Sequence, residues 1–435
     1  MRTANASEKL DTLCPPAVRG LLDLFAEAGI GAYPVGGCVR DALMDRVPHD
    51  WDIAVTCLPE RTAELCADAG LRTVPTGLAH GTVTVLVPGA DGVRMPVECT
   101  TCRTEGGYSD GRHPDSVAFS DSIRDDLSRR DFTVNAMAAE RDGTGHFRIL
   151  DLFGGLDDLN GRIIRCVGDP ELRLREDALR VLRGVRFSVK LGFDPEPFTR
   201  AALTRCAPGL SHISGERVRE ELRGILTSPD PDLGVALLYG LGLAPYVLPC
   251  PSAAAEGLAG RGGFARAEEY ESRLACLLWG LPEADLQADL RRLRLSSAEE
   301  QRVRARLSLQ RDFPCAGMPL PEAARLLRSR LGGEALPALT VRAGYAAVPP
   351  GLPEAVRRSE AAGEPVTLRE LALHGSDLPP LGVPAGCAVG RTLNLLLDAV
   401  LLDPSLNTPA SLAELVRKQA DRIPSENEKP SQKKR

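Results

Sequence analysis

The sequence predicts an α/β head over residues 1–150 followed by an all-helical remainder, and three observations carry that reading. Residues 33–58, YPVGGCVRDALMDRVPHDWDIAVTCL, open apolar, turn at Gly36-Gly37, take helical spacing over 38–44 and return to an alternating segment at 51–55. That is a strand, turn, helix, strand pattern. Two more strand-like runs follow, GTVTVLV at 81–87 and RMPVECTTCR at 94–103, joined by the turn-forming PGADG. Residues 176–193, a segment from 211 and the sequence beyond 230 then read as helical.

Taken in order, residues 8–30 read as one helix, with Leu10, Leu13, Val18, Leu21, Leu22 and Phe25 on its apolar face. An amphipathic helix is expected over 59–70. Residues 104–121 are rich in Gly, Asp and Ser and read as a mobile loop beside the 33–58 segment. DDLSRRDFTVNAMA, 125–138, reads as a surface turn entering buried structure. In EDALRVLRGVRFSVKLGF, 176–193, a helical projection gathers Ala178, Val181, Leu182, Val185 and Val189 into one apolar arc, with Asp177, Arg180, Arg183 and Arg186 opposite. Further on, 251–263 reads as a linker or long loop and 286–307 as an Arg-rich helix. GMPLPE and VPPGLPE mark breaks, and the polar 424–435 is expected to be disordered.

A chain of 435 residues exceeds one compact core and is expected to form several domains. It has no apolar run near 18 residues and no apolar signal core in MRTANASEKL, which points away from a membrane and toward the cytoplasm. The twelve cysteines include one C-x-x-C, Cys99 to Cys102, without a second pair for a zinc site, so reduced buried thiols are expected. The net charge of -6 excludes a globally basic nucleic-acid binder. Residues 160–225, where basic residues outnumber acidic ones, offer a local basic surface instead. The sequence leaves the oligomeric state open.

The chemistry concentrates in 33–58. Asp50 and Asp52, one pleat apart, share a face while Trp51 and Ile53 point into the core. Two such carboxylates repel unless a cation lies between them, and hard oxygens with positions left for phosphate and water suit Mg²⁺. Glycines at 36 and 37 let backbone approach a ligand, and Arg40 is placed to meet a phosphate. A lone D-x-D usually marks a solvated strand end and a lone G-G a turn, but together with Arg40 they read as metal-dependent chemistry on a nucleoside triphosphate. Glu98 alternates toward the Asp50 and Asp52 face as a third metal acid; the alternative is a solvated strand carboxylate. The three arginines at spacing three repel one another, and an anion would relieve them.

GGCVRD followed by HDWDIAV resembles the head signature of the nucleotidyltransferase superfamily, in the bacterial and eukaryotic class II that holds CCA-adding enzymes and bacterial poly(A) polymerases. The resemblance implies a polymerase beta-like α/β nucleotidyltransferase head (1–150) with an all-α neck (151–225), body (226–310) and tail (311–423), before the polar end (424–435). RRDFTVNA at 129–136 matches the family element whose Arg contacts the triphosphate, implying Arg130 with Arg129 as second candidate. There Asp131 and Asn135 brace fold and sugar, and Arg112 lies on a loop that assists addition. E-D-x-x-R-x-L-R-x-x-R-F at 176–187 resembles the nucleotide-selecting helix, implying that Asp177 and Arg180 read the base while Arg183 and Arg186 contact nucleotide or phosphate. SGERVREEL at 214–222 looks more like CCA-adding enzymes than poly(A) polymerases. The implied activity is addition of C and A to the 3′ end of tRNA from CTP and ATP, with Mg²⁺ held by Asp50 and Asp52. Alternatives are poly(A) synthesis, addition of only C or only A, and a non-catalytic nucleotide- or RNA-binding regulator. Some relatives carry a His-Asp phosphohydrolase domain. Here the one His-Asp pair is His49-Asp50 and the C-terminal half holds only His374, so that activity is not expected.

Overall fold

Apolar alternation and proline placement set the elements of the head. A computed structural model describes residues 3–78, 81–89, 92–106 and 116–420. The single helix expected over 8–30 is two, α1 (Thr3–Leu13) and α2 (Pro16–Glu27). Pro15 is extended, and Pro16 starts α2 where no backbone N–H is required. Val18, Leu21, Leu22 and Phe25 bury one face of α2.

Strand β1 (Ala32–Pro34), helix α3 (Gly37–Leu43), strand β2 (Trp51–Val55), helix α4 (Pro59–Asp68) and strands β3 (Arg72–Gly77), β4 (Thr82–Pro88) and β5 (Arg94–Thr101) follow. The strands form one sheet in the order β1-β2-β5-β4-β3, with β2 and β5 parallel and the other pairs antiparallel. Strand β3 was not legible in the sequence, because its Pro75 and mostly exposed residues suit only a sheet edge. Trp51, Ile53, Val97 and Cys99 are buried, and the β2–β5 register sets Asp52 beside Glu98.

The expected loop 104–121 begins and ends as a ladder, β6 (Arg103–Gly106) against β7 (Ser116–Phe119). Arg112 between them lies outside the described residues, as does the polar end 424–435. Helix α5 (Ile123–Ser128), a 3₁₀ turn at Thr133–Asn135, and the hairpin β8 (Met137–Arg141) and β9 (Phe147–Asp151) complete the head. Helices α6 (Gly155–Gly161), α7 (Pro170–Glu176), α8 (Leu179–Leu191), α9 (Pro197–Cys206), α10 (Gly215–Leu226) and α11 (Pro231–Gly240) follow.

Among the described residues, those up to 251 with 282–294 form one compact unit, and 252–281 with 295–420 a second. The described part of the second unit consists of helices and turns. The linker expected at 251–263 contains a helix, Ala253–Ala259, anchored by buried Ala255, Leu258 and Ala259. The helix expected over 286–307 is interrupted. Arg294 takes left-handed backbone after Glu283–Leu293, and a Ser296–Glu299 capping box starts Ser297–Leu307. The cysteines are all free and mostly buried. Among the described residues no helix is long and apolar enough to cross a membrane.

On helix Glu283–Leu293, fully buried Asp289 accepts the Cys250 N–H through Oδ1, while Oδ2 has no partner. Burial pushes its carboxyl up to about 6, with Asp285 adding to the rise against the Cys250 bond. A folded-state value above the unfolded one means that stability from this group is full below about pH 4 and is lost as pH rises through 6. Asp289→Asn is therefore expected to raise Tm relative to the parent more at pH 8 than at pH 5. Parallel Tm curves across that range would refute it.

Candidate active site

At the start of β2 a pocket of about 760 Å³ is lined by Gly37, Arg40, Asp50, Asp52, Arg130, Asp177, Arg180, Arg183 and Arg186, together with Asp41, Arg129, Asp131, Asn135, Lys190 and Arg217. Of the site candidates singled out from sequence, Gly37, Arg40, Asp50, Asp52, Arg129, Arg130, Asp131, Asn135, Asp177, Arg180, Arg183 and Arg186 thus line one cavity. Glu98 does not; it is exposed, one strand over from Asp52.

Half-buried Asp52 and exposed Asp50 reach the pocket from the β2 end. Burial raises the Asp52 carboxyl above its ordinary range; Arg130 opposes this, while Glu98 and Asp50 add to it. Among the described residues no three His, Cys, Asp or Glu side chains gather into a metal cage, so Glu98 does not complete one with the two aspartates. The donor set fits a hard divalent cation that draws its remaining ligands from phosphate oxygens and water.

On the pocket's second wall, Arg129 and Arg130 share one buried carboxylate. Asp126 accepts from Arg129 Nη2 at 2.5 Å and from Arg130 Nη2 at 3.0 Å. Burial alone would raise Asp126, but Arg130 and Arg129 outweigh it and hold it below the carboxylate range. Gly36 makes the Arg130 position possible. Its φ is +71°, and a Cβ there would stand 2.6 Å from Arg130 Nη1. Gly37 has no such demand, its nearest neighbour being Arg40 Nη2 at 3.8 Å.

The third wall is α8. Its expected apolar arc is buried, but Asp177 is not on the helix. It occupies an extended break after α7, where Oδ1 accepts the Leu179 N–H and Oδ2 accepts from Arg217 Nη2 at 2.8 Å. The arginine repulsion is relieved by the protein itself. Arg180 pairs with Glu176 at 2.5 Å, Arg183 with Asp131 at 2.7 Å and Arg186 with Glu221 at 2.6 Å. Asp131 is held low despite burial, chiefly by Arg183, which it raises in turn. Arg40 is buried, with its guanidinium on Asp41 and Asn135, so it braces the site instead of offering a free fork to phosphate. Arg40, Arg183 and Arg186 all lie within 5.6 Å of the Phe187 ring centroid, an arrangement that favours holding cations together.

Sequence reasoning assigned no part to Asp126, Phe187, Lys190, Arg217 or Glu221. One signal was available, because Arg217 and Glu221 stand four apart on α10 and therefore share a face. Their targets, 40 and 35 residues away, left no local trace.

Residues 32–165 match the family model described as the poly A polymerase head domain, and 192–254 match that of the probable RNA and SrmB-binding site of polymerase A. The CCA-adding enzyme of Limosilactobacillus fermentum is 37% identical over 90% of this chain and 94% of its own. That of Geobacillus stearothermophilus is 38% identical over 88% and 91%. The crystal structure of Bacillus stearothermophilus CCA-adding enzyme in complex with CTP superposes with a TM-score of 0.75 at 34% identity, covering 94% of this chain and 98% of that one. An α/β nucleotidyltransferase head with a helical remainder, shared along nearly the whole length with these proteins, places the chain in the family of CCA-adding enzymes, the tRNA nucleotidyltransferases.

Proposed function

We propose that this chain adds C and then A to the 3′ end of tRNA from CTP and ATP without a nucleic-acid template, using Mg²⁺ as the divalent metal that family membership implies. The observation that supports this most is the convergence in one pocket of two metal-type carboxylates, a paired arginine wall and an acceptor–donor set at Asp177. The tRNA 3′ hydroxyl attacks the α-phosphorus, the new P–O ester bond forms, and pyrophosphate leaves with the broken P–O bond. Asp50 and Asp52 would hold the divalent cation, which when bound would supply Lewis-acid stabilisation of the phosphoryl oxygens and ease deprotonation of the hydroxyl. Arg130, fixed by Asp126, meets the triphosphate, with Gly37 lining the turn beside it. Asp177 accepts the exocyclic amine that cytosine and adenine share, while Arg180 or Arg217 donates to the adjoining ring nitrogen. Arg183 and Arg186 orient sugar and phosphate from pairs that already fix their rotamers. Glu98, exposed and one strand over, adds negative charge toward a cation held by the pair without being one of its ligands. In this reading residues 1–150 catalyse, 151–225 select, and the body and tail, 226–310 and 311–423, hold the tRNA. For a reaction on such substrates the proposed compartment is the cytoplasm.

The deciding experiment incubates the chain with tRNAs ending before CCA, after the first C and after the second C, with each labelled nucleotide in turn. Addition of C, C and A, stopping there, is expected. A run of A on any of the three would establish poly(A) synthesis instead, and addition of C alone or A alone would restrict the activity.

A further inference from the structure

The seven arginines lining the pocket each pair with a carboxylate: Arg40 with Asp41, Arg129 and Arg130 with Asp126, Arg180 with Glu176, Arg183 with Asp131, Arg186 with Glu221, and Arg217 with Asp177. Lys190 lines the same pocket, and among the described residues it has no ion pair and no side-chain hydrogen bond. It is exposed, on the last turn of α8. Partial desolvation, then Arg40, with Arg186 and Arg46 adding, push its ammonium below the usual lysine range against the weaker pull of Asp41. A lone cation crowded by cations and open to solvent is a place that an anion relieves.

We propose that Lys190 forms a subsite for a backbone phosphate of the acceptor RNA. The assignment rests on the reaction proposed above. With the base at Asp177 and the α-phosphorus at Asp50 and Asp52, the incoming nucleotide is fixed from the start of α8. Roughly 16 Å of helix, at 1.5 Å per residue, separates Leu179 from Lys190. The acceptor hydroxyl reaches the same phosphorus and brings its own phosphodiester chain. Among the described residues lining the pocket, Lys190 is the ammonium or guanidinium group without a carboxylate partner, and so is available to that second polyanion.

The test uses full-length Lys190→Gln and Lys190→Arg, with folding checked by Tm, a tRNA ending in CC as acceptor, and ATP. For Lys190→Gln the KM for tRNA is expected to rise about fivefold, and the slope of its logarithm against log salt to fall by about 0.7 to 1, the signature of one lost phosphate contact. The KM for ATP stays within about twofold on the same grounds, since no triphosphate contact is lost. Lys190→Arg keeps the parent values. A rise in the KM for ATP with that for tRNA unchanged would assign the lysine to the triphosphate, and no change in either would make it a solvated side chain; both overturn the proposal. Absence of incorporation by the parent chain falls on the proposed reaction alone. Equilibrium binding of the same tRNA by parent and Lys190→Gln, compared for affinity and salt slope, then still decides the subsite.

Discussion

Asp52→Asn is expected to remove nucleotide incorporation by roughly 10³-fold or more, because loss of several kcal/mol of transition-state stabilisation costs a decade of rate per 1.4 kcal/mol. A neutral amide supplies no anionic oxygen, and no third acid is gathered beside Asp50 to replace it. The fold should tolerate the change well. Burial first, then the like charges of Glu98 and Asp50, oppose Asp52 ionisation and together outweigh the attraction of Arg130, so the amide removes a cost that the folded chain otherwise bears. Tm is therefore expected to stay level or rise while activity disappears. Single-turnover addition of labelled A to a tRNA ending in CC, with tRNA affinity measured in parallel, separates the two effects. Incorporation within tenfold of the parent would remove Asp52 from the catalytic group.

Asp177→Ala is expected to lose discrimination against UTP and GTP by on the order of 10²-fold or more, together with rate. The Watson–Crick edges of cytosine and adenine both present an amine donor beside a ring-nitrogen acceptor. Uracil and guanine present the reverse, leaving buried polar atoms facing like atoms. The structure widens this expectation, since removing Asp177 also frees Arg217, whose Nη1 is already buried without a partner, and uncaps Leu179. Arg186→Ala is the contrast. It lies against Glu221 and Phe187, away from Asp177, and should lower rate with base preference kept. Incorporation of all four nucleotides by both variants checks the pair. Unchanged preference for C and A in the Asp177 variant would move base selection elsewhere in the molecule.

How much of this was readable in advance depended on distance along the chain. The two aspartates, the glycine turn and the arginine spacing are local patterns, and the strand, turn, helix, strand order brings the first two together, whereas α8 joins them from far along the chain with no local pattern to announce it. The carboxylates that hold the arginines are another matter. Asp131 lies 52 residues before Arg183 and Glu221 lies 35 after Arg186, so the same spacing that suggested an empty anion site was compatible with a fully paired one. The break at Asp177 carries neither Gly nor Pro, and a helical projection runs straight through it. The break at Pro15-Pro16 was written plainly in the sequence, where an apolar period spanning both halves masked it. The helix at 253–259 was hidden by small residues that resemble a linker until Leu258 is seen buried.

The carboxylate behind each arginine bears on what happens after the chemical step. A cavity of bare guanidiniums would grip the leaving pyrophosphate as tightly as the triphosphate it came from, and turnover would wait on its escape. Here positive and negative groups nearly balance before any ligand arrives, so a polyphosphate meeting Arg130 would borrow that side chain from Asp126, a resident partner that remains within reach. When the product detaches, that partner reclaims the side chain. The resting pairs thus compete with product at every turnover, which favours prompt clearance and a chain that is free to accept the next nucleotide.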